Sequence, residues 1–69
     1  MKQTERIMKY MADYHSISSW EAFRDLGITR LAARISDLER EGIRFNRKQE
    51  AVVNRYGDKV YYTRYSIAE

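Results

Sequence analysis

The sequence predicts an α+β fold in which three helices precede a C-terminal β-hairpin. Three observations carry that prediction. Apolar residues recur at helical spacing up to Gly42. A short joint at Gly27 separates the second and third helical segments. Beyond Gly42 the residues change to strand formers arranged around a turn. With 69 residues the chain holds one domain, 1–69, and a small core.

In segment 4–15, Ile7, Met11 and Tyr14 repeat at spacings of four and three, with Met8 and Tyr10 beside them. That is an amphipathic helix. Segment 19–26 opens on Ser18 and Glu21 at capping-box spacing, where each side chain satisfies the other residue's backbone N–H. Ile17 and Ala22 form a weak hydrophobic staple. Trp20, Phe23 and Leu26 are the expected buried side, and Gly27 supplies the left-handed end. Segment 30–41 follows, with Thr29 as its N-cap. Leu31, Ile35 and Leu38 form its apolar stripe, and Gly42 closes it. The joint is about three residues long, and Ile28 anchors it in the core. Two helices so joined have helix-turn-helix spacing.

Segment 43–67, "IRFNRKQEAVVNRYGDKVYYTRYSI", is rich in Val, Ile, Tyr and Phe with polar residues interleaved. Asn54 suits the first position of a type I turn and Gly57 the last. A left-handed glycine there gives a three-residue hairpin loop. This register opposes Phe45 to Ile67 and Val52 to Val60. The rival, a two-residue loop at Gly57-Asp58, sets Lys48 against Ile67, a poorer pair. The adjacent Val52 and Val53 interrupt the alternation and leave room for a bulge. An isolated hairpin is marginal in water. Its base, Ile43, Phe45, Tyr65 and Ile67, is therefore expected to pack on the helices.

The chain resembles small winged helix-turn-helix domains, especially those encoded by bacteriophages and prophages. The resemblance rests on Gly27-Ile28-Thr29, Ala33-Arg34-Ile35, Leu38, Gly42-Ile43, the Asn54 to Gly57 turn and Tyr65-Ser66-Ile67. It covers nearly the whole chain, with the order and spacing of short motifs giving the specificity. It implies DNA binding, often in regulation of phage genes, with the hairpin as the wing. Some domains of this kind bind proteins instead.

The third helix has unequal sides. At about 100° per residue, Arg30, Ala33, Ser36, Asp37 and Arg40 lie opposite the apolar stripe, with Arg34 on the flank. Thr29 and Arg30 stand at the end that helix-turn-helix proteins present to base edges. Ala33 permits close approach to a groove. Arginine can bond two guanine atoms in the major groove, and Asp37 can accept from cytosine or orient an arginine. On the hairpin, Arg47, Lys48, Arg55, Lys59 and Arg64 offer contacts to the backbone or minor groove. Tyr56, Tyr61 and Tyr62 are expected chiefly to pack across strands, with phosphate contact as the lesser role. The bland alternative for the helix is a solvated surface of weak ion pairs at spacings of three and four.

Charge separates the two halves. Residues 1–41 carry seven Lys/Arg and seven Asp/Glu, whereas residues 42–69 carry six basic and three acidic residues. The net +3 therefore belongs to the hairpin, which suggests an anionic partner there. There is no cysteine and one histidine, His15, at the end of the first helix. No metal-ligand cluster, glycine-rich phosphate loop or supported nucleophile set is present, so neither an enzyme nor a cofactor is expected. No apolar run reaches the ~18 residues of a membrane span, and the N-terminus lacks signal-peptide features. A cytoplasmic protein is expected. The leading expectation is sequence-specific binding of double-stranded DNA by a small phage or prophage transcriptional regulator or recombination accessory factor. A homodimer or tandem binding would supply the base contacts that one small domain lacks. The alternative is a phage-encoded module that binds a host protein, inhibiting or redirecting a nuclease or polymerase. RNA binding through the basic hairpin ranks below both.

Overall fold

In the computed structural model, which describes residues 1–68, the elements run α1 (Gln3–Tyr14), β1 (Ser16–Ser18), α2 (Ser19–Leu26), α3 (Leu31–Arg40), β2 (Phe45–Val53) and β3 (Lys59–Ile67). The three strands form one antiparallel sheet in the order β1-β3-β2. Ile7, Tyr10 and Met11 of α1 meet Ile17 of β1, Ala22 of α2, Ile28 of the joint and Leu31, Ile35 and Leu38 of α3. Phe45 and Tyr65 close this core from the sheet.

α1 differs from expectation at its outer end. Tyr10 takes the core position, and its hydroxyl donates to Asp25 at 2.8 Å. Tyr14 is 65% exposed and stacks on Tyr10 from outside, ring centroids 4.7 Å apart. Burial and the Asp25 bond push the Tyr10 hydroxyl up to about 12. Arg24, with Tyr10, holds the Asp25 carboxyl down to about 2. The helix ends at His15, which is exposed and takes a left-handed φ of 71°.

β1 was not foreseen. Ile17 and Ser18 read as a staple and a cap, and they serve as both strand and cap. Ile17 pairs with Tyr65 and Ser18 with Arg64. The capping box of α2 is formed: Glu21 N–H donates to Ser18 Oγ at 3.3 Å, and Ser18 N–H to Glu21 Oε1 at 2.9 Å. The expected buried side of α2 is wrong. Trp20 is 53% exposed and Phe23 63%. The inward stripe is Ala22, fully buried, with Leu26 partly so. A methyl side chain there lets α2 lie close to the core. Helical period then puts Trp20 on the outer side and Phe23 at the margin.

The joint runs four residues, Gly27 to Arg30, one more than expected. Gly27 has φ 69°, and its N–H reaches Phe23 carbonyl at 3.1 Å. A glycine adopts that left-handed backbone without a Cβ clash. Ile28 N–H reaches Ala22 carbonyl at 3.0 Å, and the side chain is fully buried. Thr29 is not the N-cap of α3. Arg30 occupies that position with φ −122° and no side-chain cap, leaving the Thr29 hydroxyl one residue too early. At the far end, Ile43 N–H bonds to Leu38 carbonyl and Gly42 N–H to Glu39 carbonyl, with Gly42 at φ 100°. This is a Schellman closure.

The hairpin has the expected register, Phe45 opposite Ile67 and Val52 opposite Val60. Pairing is continuous from Phe45–Ile67 to Val53–Lys59, so Val52-Val53 introduces no bulge. The base packs as expected at Phe45 and Tyr65, whereas Ile43 is half-buried and Ile67 is 38% exposed.

Candidate nucleic-acid interface

α3 turns Leu31, Ile35 and Leu38 inward and leaves Thr29, Arg30, Ala32, Ser36 and Arg40 exposed. Ala33, Arg34 and Asp37 are half-buried on the same outer surface. Around Arg30 the surface is low, because Ala32, Ala33 and Ser36 project little. Asp37 is held between two guanidiniums, Arg34 at 3.0 Å and Arg40. It therefore orients arginines and is not a free acceptor. Arg30 forms no ion pair among the described residues. Neither Thr29 nor Arg30 caps the first N–H groups of α3, so that end retains open donors.

A bidentate ion pair ties this helix to the wing. Arg47 of β2 donates to both Glu39 oxygens at 2.8 and 3.0 Å, and its guanidinium lies 5.4 Å from the Tyr65 ring centroid. The Arg47 bonds hold the Glu39 carboxyl below its ordinary range. Arg47 thus sits beside α3 but spends its donors on the protein.

Strand alternation assigns the rest of the wing. Phe45, Arg47, Gln49, Tyr61 and Tyr65 share the side that covers the core. Lys48, Glu50, Val52, Val60, Tyr62 and Arg64 share the other. Arg64 is the hub of a network: it donates to Glu50 at 2.7 Å, to Glu21 at 2.9 and 3.3 Å and to Ser16 at 3.0 Å. Burial alone would raise the Glu21 carboxyl, but bonds from Arg64 and the Ser18 N–H hold it below its ordinary range. Arg64 therefore joins the start of α2 to the sheet, and its donors point away from any ligand. Glu50 is also held low, chiefly by Arg64.

At the tip, Asn54 organises the turn. Its Oδ1 accepts from the N–H of Tyr56 at 2.9 Å and of Asp58 at 3.0 Å. Gly57 N–H reaches Asn54 carbonyl at 3.1 Å, and Asn54 N–H reaches Asp58 carbonyl at 2.9 Å. Arg55 and Lys59 are exposed on this loop and its flank, and Lys48 is exposed farther down. None of the three forms an ion pair among the described residues. Arg55 and Lys59 thus leave unpaired positive charge at the tip, while Arg44 is exposed at the base of the hairpin.

The structure therefore joins Thr29, Arg30, Ala33, Arg34 and Asp37 on one helical surface, with Arg47 beside it and Lys48, Arg55 and Lys59 along the wing. Arg64 stands apart. Ala32 and Arg40 belong to the surface and were readable from helical period. The exposure of Trp20 had no sequence signal.

No group of His, Cys, Asp or Glu among the described residues could hold a metal ion. No described helix is long and apolar enough to cross a membrane. No curated protein and no solved structure gives a significant match. A family model described as a winged helix-turn-helix domain matches residues 2–69. With that match over nearly the whole length, and with a four-residue joint between α2 and α3 and a hairpin after them, the chain belongs to the winged helix-turn-helix domain family.

Proposed function

We propose that the chain binds double-stranded DNA sequence-specifically, as a small transcriptional regulator or recombination accessory factor of phage or prophage type. α3 enters the major groove, and the wing lies on the backbone or in the minor groove. Family membership supports DNA as the ligand. The observation that carries the geometry is the pairing of a low, arginine-bearing α3 surface with unpaired cations on a projecting wing. Arg30 is the base-reading residue, because Arg34 and Arg40 share Asp37. Arg55, Lys59 and Lys48 neutralise phosphates. Arg47 holds the wing against α3 through Glu39.

Selection from random duplexes gives the test. The wild-type chain should enrich one motif. Arg30→Ala should weaken binding to that motif about 10-fold or more and relax one position, the loss expected of a bidentate base contact. Lys59→Ala should weaken all sequences alike. Enrichment of no motif, or equal effects of the two changes on every sequence, would overturn the assignment of α3.

A further inference from the structure

The wing is a long lever on a short base. Phe45 and Tyr65 seat it in the core, yet no residue from Gln49 to Thr63 is buried. β2 is nine residues long. At ~3.3 Å per residue it carries the turn roughly 26 Å past Phe45. Over that length a tilt of about 10° at the base moves the tip by roughly 4–5 Å. That exceeds the ~3 Å of a hydrogen bond to a phosphate.

Two ion pairs grip the base on adjacent rungs and from opposite sides. On the α3 side Glu39 holds Arg47, whose cross-strand partner is Tyr65. On the other side Glu21 of α2 holds Arg64, whose cross-strand partner is Lys48. Beyond that second pair the wing has room, because Trp20 stands across a groove of about 510 Å³ from Val52, Val60 and Tyr62. Toward α3, the bonds of Arg47 to Glu39 are the only side-chain hydrogen bonds between helix and wing among the described residues.

We propose that Glu39 is a positioning residue for DNA: by holding Arg47 it fixes the angle of the wing to α3, and so sets Arg55 and Lys59 at phosphates while Arg30 reads a base. This deepens the duplex-DNA reading and rests on it. The consequence runs against charge. Glu39 is an acid on the helix that approaches DNA, and its removal adds a unit of positive charge and frees Arg47. Were Glu39 only a screen, its loss would tighten binding and steepen the salt dependence. As a positioning residue its loss does the reverse. The wing leans from α3 into the groove beside Trp20, and the tip misses its phosphates.

Glu39→Ala keeps a good helix former in α3, so its melting profile should stay close to that of the wild type. Its affinity for the selected motif should fall about threefold or more. The slope of log affinity against log salt should shrink by about 2, one for each tip cation. Lys59→Ala should then cost little further in the Glu39→Ala background, a coupling between residues that do not touch. The reversed pair, Glu39→Arg with Arg47→Glu, keeps the net charge of the wild type and should restore affinity. A second readout needs no DNA. The chain has no cysteine, so spin labels on Ser36→Cys and Tyr56→Cys, both exposed positions, report the distance from α3 to the tip. That distance should be narrow in the otherwise wild-type chain, and longer and broader with Glu39→Ala. Motif binding by Glu39→Ala as tight as the wild type's, or an unchanged narrow distance, would overturn the proposal and leave the duplex reading standing. A wild type that binds no duplex would overturn both, and that failure shows before any substitution is made. Should Glu39→Ala unfold, Glu39→Gln repeats the comparison.

Discussion

Arg64 shows how much one side chain can be misjudged by charge alone. In sequence it is one of five hairpin cations offered to a ligand. In the structure it bonds to Glu21, Glu50 and Ser16. Its partners lie 14 to 48 positions away, and strand alternation cannot announce them. Arg64→Ala should cost about 2 kcal/mol, because it leaves half-buried carboxylates without their donor. In a chain of this size that lowers the melting temperature by roughly 10 °C. The same bonds give stability a pH dependence. Glu21 and Glu50 are held below their ordinary range when folded. Their contribution is complete above the unfolded-state value of about 4 and is lost as pH falls through the lower folded values. Asp25, held at about 2, extends that loss further into acid. Thermal melts across this range should show a steep acid decline in the wild type and a shallower one in Arg64→Ala.

Among the elements, α2 carries the sharpest lesson. Its large residues, Trp20 and Phe23, were expected inside, and its small one is there instead. A short helix of eight residues has barely two turns, so the apolar period alone admits more than one inward stripe. The choice is made by β1, three residues long and without a readable period of its own. Pairing with β3 fixes where α2 begins, and Ala22 then faces the core. Ala22→Leu should cost about 1–3 kcal/mol by overpacking, with circular dichroism and chemical denaturation as the measure. Trp20→Ala should change stability far less. By contrast, α3 was legible because Leu31, Ile35 and Leu38 admit one stripe, and the hairpin register was legible because, of the two turns open at Gly57, only the one starting at Asn54 sets Phe45 against Ile67 and Val52 against Val60. The candidate surface divides the same way. Thr29, Arg30 and Ala33 follow from helical geometry, whereas the engagement of Asp37, Arg47 and Arg64 depends on partners that only the folded chain brings near.

For the whole molecule, the distribution of charge matters more than its total. The net charge is +3, yet several cations are matched internally by Asp37, Glu39, Glu21 and Glu50. Of the cations on the α3 surface and the wing, Arg30, Lys48, Arg55 and Lys59 form no ion pair among the described residues and remain for phosphates or bases. If about four such contacts form, log affinity should fall with log salt at a slope near −4. Between about 50 and 200 mM salt that is a loss of roughly 100-fold. Titrating a labelled duplex at several ionic strengths measures it, and each of Lys48→Ala, Arg55→Ala and Lys59→Ala should reduce the slope by about 1.

The strand order β1-β3-β2 has a consequence for how the protein is made. The central strand, β3, is the last of the three to leave the ribosome. Neither neighbour can hydrogen-bond across the sheet before residues 59–67 emerge. Until then Ile17 and Phe45 lack Tyr65 and Ile67, their cross-strand mates. The nascent helices must wait with an unfinished floor until β3 emerges between its two neighbours and completes the sheet.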